Sequence, residues 1–228
     1  MPGFVSIPIE RTTRYRPAGT TPLANVVNDP CMLTVRAGSP FRTLTDVVAA
    51  ARARPEVITY GTTGIGSDDH LAMLAFEELT GTRLVHVPFS GMSQVFPQIL
   101  SGGLDLGAMN VSEALPLLRE GQLRALGQAS AERWALMSDV PTYREQGLDL
   151  VASASRGFVA PGGLPAPVRE RLEAAFAEAL GDPAFVREAE RLGMPLQPVI
   201  GSAYREQMLA AESRYRILWQ QRPWVDRP

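Results

Sequence analysis

The stretch Tyr60-Gly61-Thr62-Thr63-Gly64-Ile65-Gly66-Ser67-Asp68-Asp69-His70-Leu71 decides the fold. It follows a short run of β-type residues at 57–60, and it leads into a segment whose apolar residues recur at helical spacing. The turn between strand and helix contains three glycines, two threonines and a serine. Because parallel sheets are built from such strand–turn–helix units, the stretch predicts an α/β fold.

The same turn predicts a site for an anion. Peptide N–H groups at a helix N-terminus have no acceptor within the helix, and the helix dipole adds partial positive charge there. Carboxylates and phosphates bind such ends, and open α/β sheets bind ligands at the carboxyl ends of their strands. The alternative is an ordinary capped turn, in which Ser67 caps the helix while Asp68 and Asp69 complement its dipole. The stretch alone leaves both interpretations open.

Composition narrows the classes of function. The chain has 228 residues, a net charge of −2 and 45% hydrophobic residues, which suits one or two globular domains and predicts no nucleic-acid partner. All 22 of its basic residues are arginine, which excludes chemistry that needs a lysine of this chain. Cys31 is the single cysteine, and His70 and His86 form no ligand motif, so no metal or cofactor is predicted. His70 is interpreted as a structural hydrogen-bonding residue.

The order of segments predicts two lobes. Strand-like and helix-like segments alternate between residues 40 and 150, whereas helices dominate after an extended segment near 151–160. Residues 5–9 have weak strand character. We expect lobe I to combine 1–38 with 154–228, and lobe II to be 39–153, with a hinge of two segments.

The motifs together resemble the substrate-binding proteins of tripartite tricarboxylate transporters, also called the Bug family. The segments that carry the resemblance are residues 60–71, Val85-His86-Val87-Pro88-Phe89-Ser90-Gly91, Gly102-Gly103-Leu104-Asp105-Leu106, Leu123-Arg124-Ala125-Leu126, Asp139-Val140-Pro141-Thr142 and Gly157-Phe158-Val159-Ala160-Pro161-Gly162-Gly163-Leu164-Pro165. The resemblance implies a type II periplasmic-binding-protein fold with two parallel-sheet lobes. It also implies capture of a small organic acid, a mono- or dicarboxylate, and its delivery to membrane permease subunits in the periplasm, with no chemistry on the solute.

The chain departs from the family pattern at its start. Family members carry a further N-terminal portion with an export signal, a first strand and a second loop that clamps the ligand. The present N-terminal residues show no signal-peptide pattern. The expectation is therefore an incomplete lobe I, and an uncovered sheet edge there would favour a homo-oligomer.

Candidate ligand-binding residues follow from the loops and from the resemblance. They are Thr62, Thr63, Gly64, Gly66, Ser67, Ser90, Asn110, Ser155 and Arg156. Ser90 and Asn110 follow strand ends and are equally interpretable as turn and cap residues. Arg156 either pairs with a distal carboxylate or is an ordinary solvated arginine. No catalytic residue is predicted. The alternatives to a receptor are an anion-binding α/β enzyme acting on a small acid, and a truncated remnant without ligand affinity.

Overall fold

The chain folds as two units in the computed structural model, which describes residues 2–225. The central unit is Pro30–Ser153, and the terminal unit combines the chain up to Asp29 with the chain from Ala154 onward. The chain therefore passes from one unit to the other twice. The sequence analysis placed the first boundary at 38/39, and its assignment of lobes stays a prediction.

Helices and strands alternate along most of the chain. In order, they are α1 Pro2–Glu10, β1 Thr20–Arg36, α2 Leu44–Ala53, β2 Thr59–Thr62, α3 Asp68–Thr80, β3 Val85–Pro88, α4 Met92–Ser101, β4 Leu106–Asn110, α5 Val111–Arg119, β5 Leu123–Gln128, β6 Ser153–Pro161, α6 Ala166–Gly181, α7 Pro183–Arg191, β7 Leu196–Ile200 and α8 Gly201–Gln221. Strand β1 begins in the terminal unit and ends in the central unit.

The sheet of the central unit has the strand order β3-β2-β4-β1-β5. Strands β3, β2 and β4 are parallel and are joined by helical crossovers, as the sequence predicts. The sheet is nevertheless mixed, because the long strand β1 runs antiparallel to both β4 and β5. The expectation of wholly parallel lobes was wrong on this point, since a strand that crosses between units need not follow the βαβ direction.

Each face of this sheet is covered by its own core. Successive side chains of β1 point to opposite faces. Leu33 and Val35 join a cluster that contains Val47 of α2 and Phe76 of α3. Met32 joins a second cluster, formed largely with α4 and α5. Burial on both faces explains why these strands read as continuous apolar runs rather than as alternating ones.

Local capping sets the helix starts. Asp46 N–H donates to Thr43 Oγ1 at 3.1 Å and Thr43 N–H donates to Asp46 Oδ2 at 2.9 Å, a reciprocal capping box that fixes the start of α2. Gly91 occupies the cap position of helix α4, and Ser93 lies inside the helix.

The terminal unit contains two elements that the sequence analysis missed. Residues 5–9 belong to helix α1, which packs against α8, so the weak strand prediction was wrong. Strand β7 pairs antiparallel with β1 and contains Pro198. This proline lies where the register shifts between Asn25 and Val27, a bulge that tolerates its missing N–H.

The core of the central unit can be tested on one helix. Phe76 is 0% exposed, whereas Leu79 on the same helix is 53% exposed. We expect Phe76→Ala to lower the free energy of unfolding by about 3–5 kcal/mol, because it leaves a cavity. We expect Leu79→Ala to change it by less than about 1 kcal/mol. Urea denaturation of both variants measures the difference, and equal losses would contradict this packing.

Candidate functional site

Residues 62–68 run from the last residue of β2 to the first residue of α3, at the carboxyl end of β2, and we call them the anion loop. Gly64 has a φ of 125° and Gly66 a φ of 74°, conformations that residues with a Cβ rarely adopt. The loop therefore needs glycine at these positions in order to turn out of the strand and enter the helix. Thr62 and Gly66 are buried, while Ile65 is 54% exposed.

Ser67 caps helix α3. His70 N–H donates to Ser67 Oγ at 3.2 Å, and Ser67 N–H donates to the Gly64 carbonyl at 3.3 Å. The helix ends at Gly81, whose φ of 61° is left-handed, a conformation that glycine adopts readily at helix C-termini. The side chain of Ser67 is thus an ordinary helix cap. The backbone N–H groups of the loop are a separate matter, because the cap does not occupy them.

Some backbone donors of the anion loop have no acceptor within the part of the chain that the structure describes. Among residues 2–225, no group accepts a hydrogen bond from the N–H of Thr63, Ile65 or Asp68. The N–H of Asp68 belongs to the first turn of α3, where the helix dipole is positive. These donors and the dipole are together suited to an anion.

The hydroxyl of Thr62 is engaged inside the loop. Thr62 Oγ1 lies 2.7 Å from His86 Nε2, accepts from the N–H of Gly64 at 3.2 Å and donates to the Gly64 carbonyl at 3.2 Å. All these contacts are satisfied when His86 carries its proton on Nε2. Thr62 therefore shapes the loop through its side chain.

Two histidines that are distant in the sequence meet beneath the loop. The ring centroids of His70 and His86 are 3.9 Å apart with an interplanar angle of 13°, and Tyr60 stacks on His86 at 5.0 Å. Gly66 N–H donates to His70 Nδ1 at 3.0 Å. Burial lowers the pKa of His86 to about 4, which keeps its imidazole neutral at physiological pH.

Asn110 and Asp68 join the ends of two elements. Asn110 Nδ2 donates to Asp68 Oδ2 at 2.8 Å, and its own N–H donates to Glu113 Oε2 at 3.0 Å. Asn110 thus ties the end of β4 to the start of α3, and it begins α5 without an intervening loop. Cys31 Sγ lies 3.7 Å from the same Asp68 oxygen. Asp68 was interpreted from the sequence only as a complement to the helix dipole, so this tie was missed.

One group of donor atoms has dimensions that a cation could use. The ligand atoms of Cys31, Asp68 and Asp69 lie within 4.8 Å of one another. Because Asp68 already accepts a hydrogen bond from Asn110, and nothing else in the described residues points to a cation, we assign no metal to this group.

Ser90 lies next to the anion loop at the end of β3. Phe89 N–H donates to the Thr62 carbonyl at 3.0 Å, which holds the two loops together. The N–H and Oγ of Ser90 both donate to Gln94 Oε1, at 3.2 and 3.1 Å, and the residue is exposed. Ser90 therefore acts as a turn residue, and its position beside the anion loop keeps it a candidate ligand-binding residue.

Ser155 and Arg156 belong to the terminal unit. Ser155 Oγ donates to Asn28 Oδ1 at 2.9 Å. Arg156 Nη1 is 2.8 Å from Asp29 Oδ2, and the Asp29 side chain is 0% exposed while that of Arg156 is 45% exposed. Arg156 is thus the counter-ion of a buried carboxylate, rather than the ordinary solvated arginine of one sequence interpretation.

The structure brings seven of the nine predicted residues into one neighbourhood of the central unit. The loop residues and Ser90 adjoin, and Asn110 contacts Asp68 at the helix start. Sequence reasoning missed the role of His86, although one signal was available. Parallel pairing of β2 with β3 places position 86 beside Tyr60.

Comparisons with known proteins agree with this fold. The model of the family described as tripartite tricarboxylate transporter family receptor, TctC, matches residues 6–218. The UPF0065 protein in the gbd 5′ region of Cupriavidus necator is 30% identical over 181 residues, which are 79% of this chain and 54% of that protein. BugT of Bordetella pertussis is 28% identical over 166 residues, which are 72% of this chain and 51% of that protein.

Solved structures show the same architecture. An R. palustris protein with adipate superposes with a TM-score of 0.84 at 26% identity, covering 96% of this chain and 75% of that chain. MatC from Rhodopseudomonas palustris with bound malate has a TM-score of 0.80 at 26% identity, covering 95% and 76%. The fold is thus that of the periplasmic solute-binding proteins, and the predicted fold class is confirmed.

The chain belongs to the tripartite tricarboxylate transporter receptor family. This confirms the resemblance seen in the sequence, and the family consists of receptors rather than enzymes. The chain spans about half the length of the curated relatives it matches. Within the described residues, every helix is too short or too polar to cross a membrane.

The neutral state of His86 predicts a pH dependence of stability. Its pKa in the folded protein is about 4, below its ordinary value of 6.5. The folded protein therefore has the full stability that goes with the neutral ring above pH 6.5 and loses it as the pH falls toward 4, by about 1–2 kcal/mol once solvent screening of this half-buried ring is allowed for. Urea denaturation at pH 7 and pH 4.5 measures this loss.

Removing the titrating ring supplies the control. His86→Gln retains an N–H near Thr62 but cannot be protonated, so its stability should fall less than that of the wild type over the same pH interval. Equal losses in the two proteins would contradict the assignment of the acid sensitivity to His86.

Proposed function

We propose that the chain is a solute-binding receptor that captures a small organic carboxylate through the backbone of its anion loop. The observation that carries the proposal is the set of N–H groups of Thr63, Ile65 and Asp68, which no group of residues 2–225 accepts, at the positive end of α3. A carboxylate has two oxygens, each able to accept more than one hydrogen bond, and so it can accept from several backbone donors of one loop.

The charges around the loop favour a carboxylate over a phosphate. Asp68 and Asp69 lie in the first turn of α3, next to the proposed anion. Two like charges about 4 Å apart repel by several kcal/mol in a partly buried site, and the repulsion grows with the charge of the ligand. A singly charged carboxylate group is therefore better tolerated than a dianionic phosphate. The neighbours solved with adipate and malate hold ligands of this chemistry.

The predicted ligand residues take different parts in this proposal. Gly64 and Gly66 give the loop its shape, and Thr63 offers a backbone donor. Ser67 lies in the loop and Ser90 lies beside it, and both would add hydroxyl contacts, while Asn110 holds the start of α3 through Asp68. These assignments rest on the position of each residue in the central unit.

Arg156 remains a candidate carboxylate ligand in the terminal unit. Its guanidinium has five N–H donors in a fork that matches carboxylate geometry, and its side chain is about half exposed although it pairs with Asp29. Ser155 is adjacent to it but is buried.

Membership of the family supports a place in transport. We propose that the receptor works in the periplasm and delivers its acid to the membrane permease subunits of a tripartite tricarboxylate transporter. Self-association through the terminal unit, expected from the sequence, stays part of this proposal.

A thermal-shift titration with a panel of C3–C6 mono- and dicarboxylates, malate and adipate among them, tests the proposal. A ligand that binds only the native state raises the melting temperature with the logarithm of its excess over Kd. We expect a saturable shift for at least one acid and none for inorganic phosphate. Gly64→Ala should weaken binding by at least about tenfold, because alanine cannot take the loop conformation without strain.

The matched control is Gly81→Ala at the opposite end of the same helix. Gly81 also has a positive φ, and no atom lies within 4 Å of an added Cβ, so the substitution costs stability without touching the loop. Equal affinity losses in the two variants, or no shift with any acid, would overturn the proposed function and favour the remnant without ligand affinity.

A further inference from the structure

We infer that His70 and His86 are positioning residues that hold the anion loop in its ligand-binding conformation, His70 as a hydrogen-bond acceptor and His86 as a donor. The inference deepens the proposed function and rests on it. Neither residue needs to touch the ligand, since both act on the backbone or the side chain of the loop.

His70 fixes the middle of the loop from the first turn of α3. Its Nδ1 accepts the N–H of Gly66 at 3.0 Å, and the ring is buried. A ring nitrogen that accepts from an N–H carries no proton of its own, so the proton of the neutral ring lies on Nε2. This bond removes the Gly66 donor from the loop and turns the peptide plane of Gly66 inward.

His86 fixes the start of the loop from strand β3. Its Nε2 contacts Thr62 Oγ1 at 2.7 Å, and that oxygen accepts the N–H of Gly64 at 3.2 Å. The chain of contacts runs from ring to hydroxyl to backbone. It reaches Gly64, the residue with the least common φ of the loop, 125°. A glycine loop is entropically free in isolation, so these contacts select one conformation.

The two rings also hold each other. His70 and His86 stack at 3.9 Å, and His86 stacks on Tyr60, its partner residue in the β2–β3 register. The stack therefore connects the loop to the rigid sheet through three aromatic rings. A displacement of either histidine would move Gly64 and Gly66 together, and with them the donors of Thr63 and Ile65 between and beside them.

Two substitutions at position 70 separate hydrogen bonding from packing. His70→Phe keeps a flat ring for the stack but has no acceptor for Gly66. His70→Asn places a carbonyl oxygen near the position of Nδ1 and so restores the acceptor with a smaller side chain. Leu79→Ala, at the exposed end of the same helix, is the control for general effects on α3.

Calorimetric titration with malate and adipate as probes measures the effect on binding. We expect His70→Phe to weaken binding of whichever probe the wild type binds by about tenfold, the loss of one hydrogen bond at the loop. His70→Asn should recover at least a threefold part of that loss, and Leu79→Ala should bind like the wild type. If affinity instead falls with the size of the side chain at position 70, so that His70→Asn binds more weakly than His70→Phe, the inference is overturned.

A measurement without ligand keeps this inference separate from the proposed function. In ¹⁵N NMR spectra of the ligand-free wild type, His70 should show an unprotonated Nδ1 and a protonated Nε2. The Gly66 amide should exchange slowly with solvent in the wild type and in His70→Asn, and rapidly in His70→Phe. If the wild type shows this NMR pattern but binds neither probe, the proposed carboxylate ligand is rejected and the positioning role of the histidines stands. A protonated Nδ1, or a rapidly exchanging Gly66 amide in the wild type, would reject the positioning role itself.

Discussion

The turn from β2 into α3 imposes the constraint on which the site depends. The chain must leave a buried strand, reverse its backbone through two residues of positive φ and start a helix within a few residues. Glycine makes this path accessible, but it does not choose one conformation from many. That choice comes from hydrogen bonds to Thr62 Oγ1 and His70 Nδ1, which occupy the donors of Gly64 and Gly66. The N–H groups of Thr63, Ile65 and Asp68, which no described group accepts, remain available to a ligand.

The long strand β1 takes part in the strand pairing of both units. Its first half pairs with β7 in the terminal unit, and its second half pairs with β4 and β5 in the central unit. Asp29 and Asn28 lie just before the passage into the central unit, and they bond to Arg156 and Ser155 just after the return. The two passages of the chain are thus cross-linked on the side of the terminal unit by an ion pair whose carboxylate is fully buried.

Local signals in the sequence were sufficient for much of the fold and for the loop itself. Ser67 and Gly81 mark the two ends of α3 by rules of capping that depend on neighbouring residues only. The stack of His70 on His86 could not be inferred in the same way, because it depends on the register between two strands. Strand β7 was missed because Pro198 argues against a strand unless a bulge in the partner is known. Helix α1 depends on packing against α8, which no local pattern reports.

The central claim is that backbone donors of the anion loop bind a carboxylate, and amide chemical shifts test it most directly. Titration of ¹⁵N-labelled protein with the acid that gives the largest thermal shift should move the amide resonances of Thr63, Ile65 and Asp68 saturably and with one common Kd. Their ¹H shifts should move downfield, as new hydrogen bonds to a carboxylate require. Saturable shifts confined to other parts of the chain, with these three amides unmoved, would contradict the account.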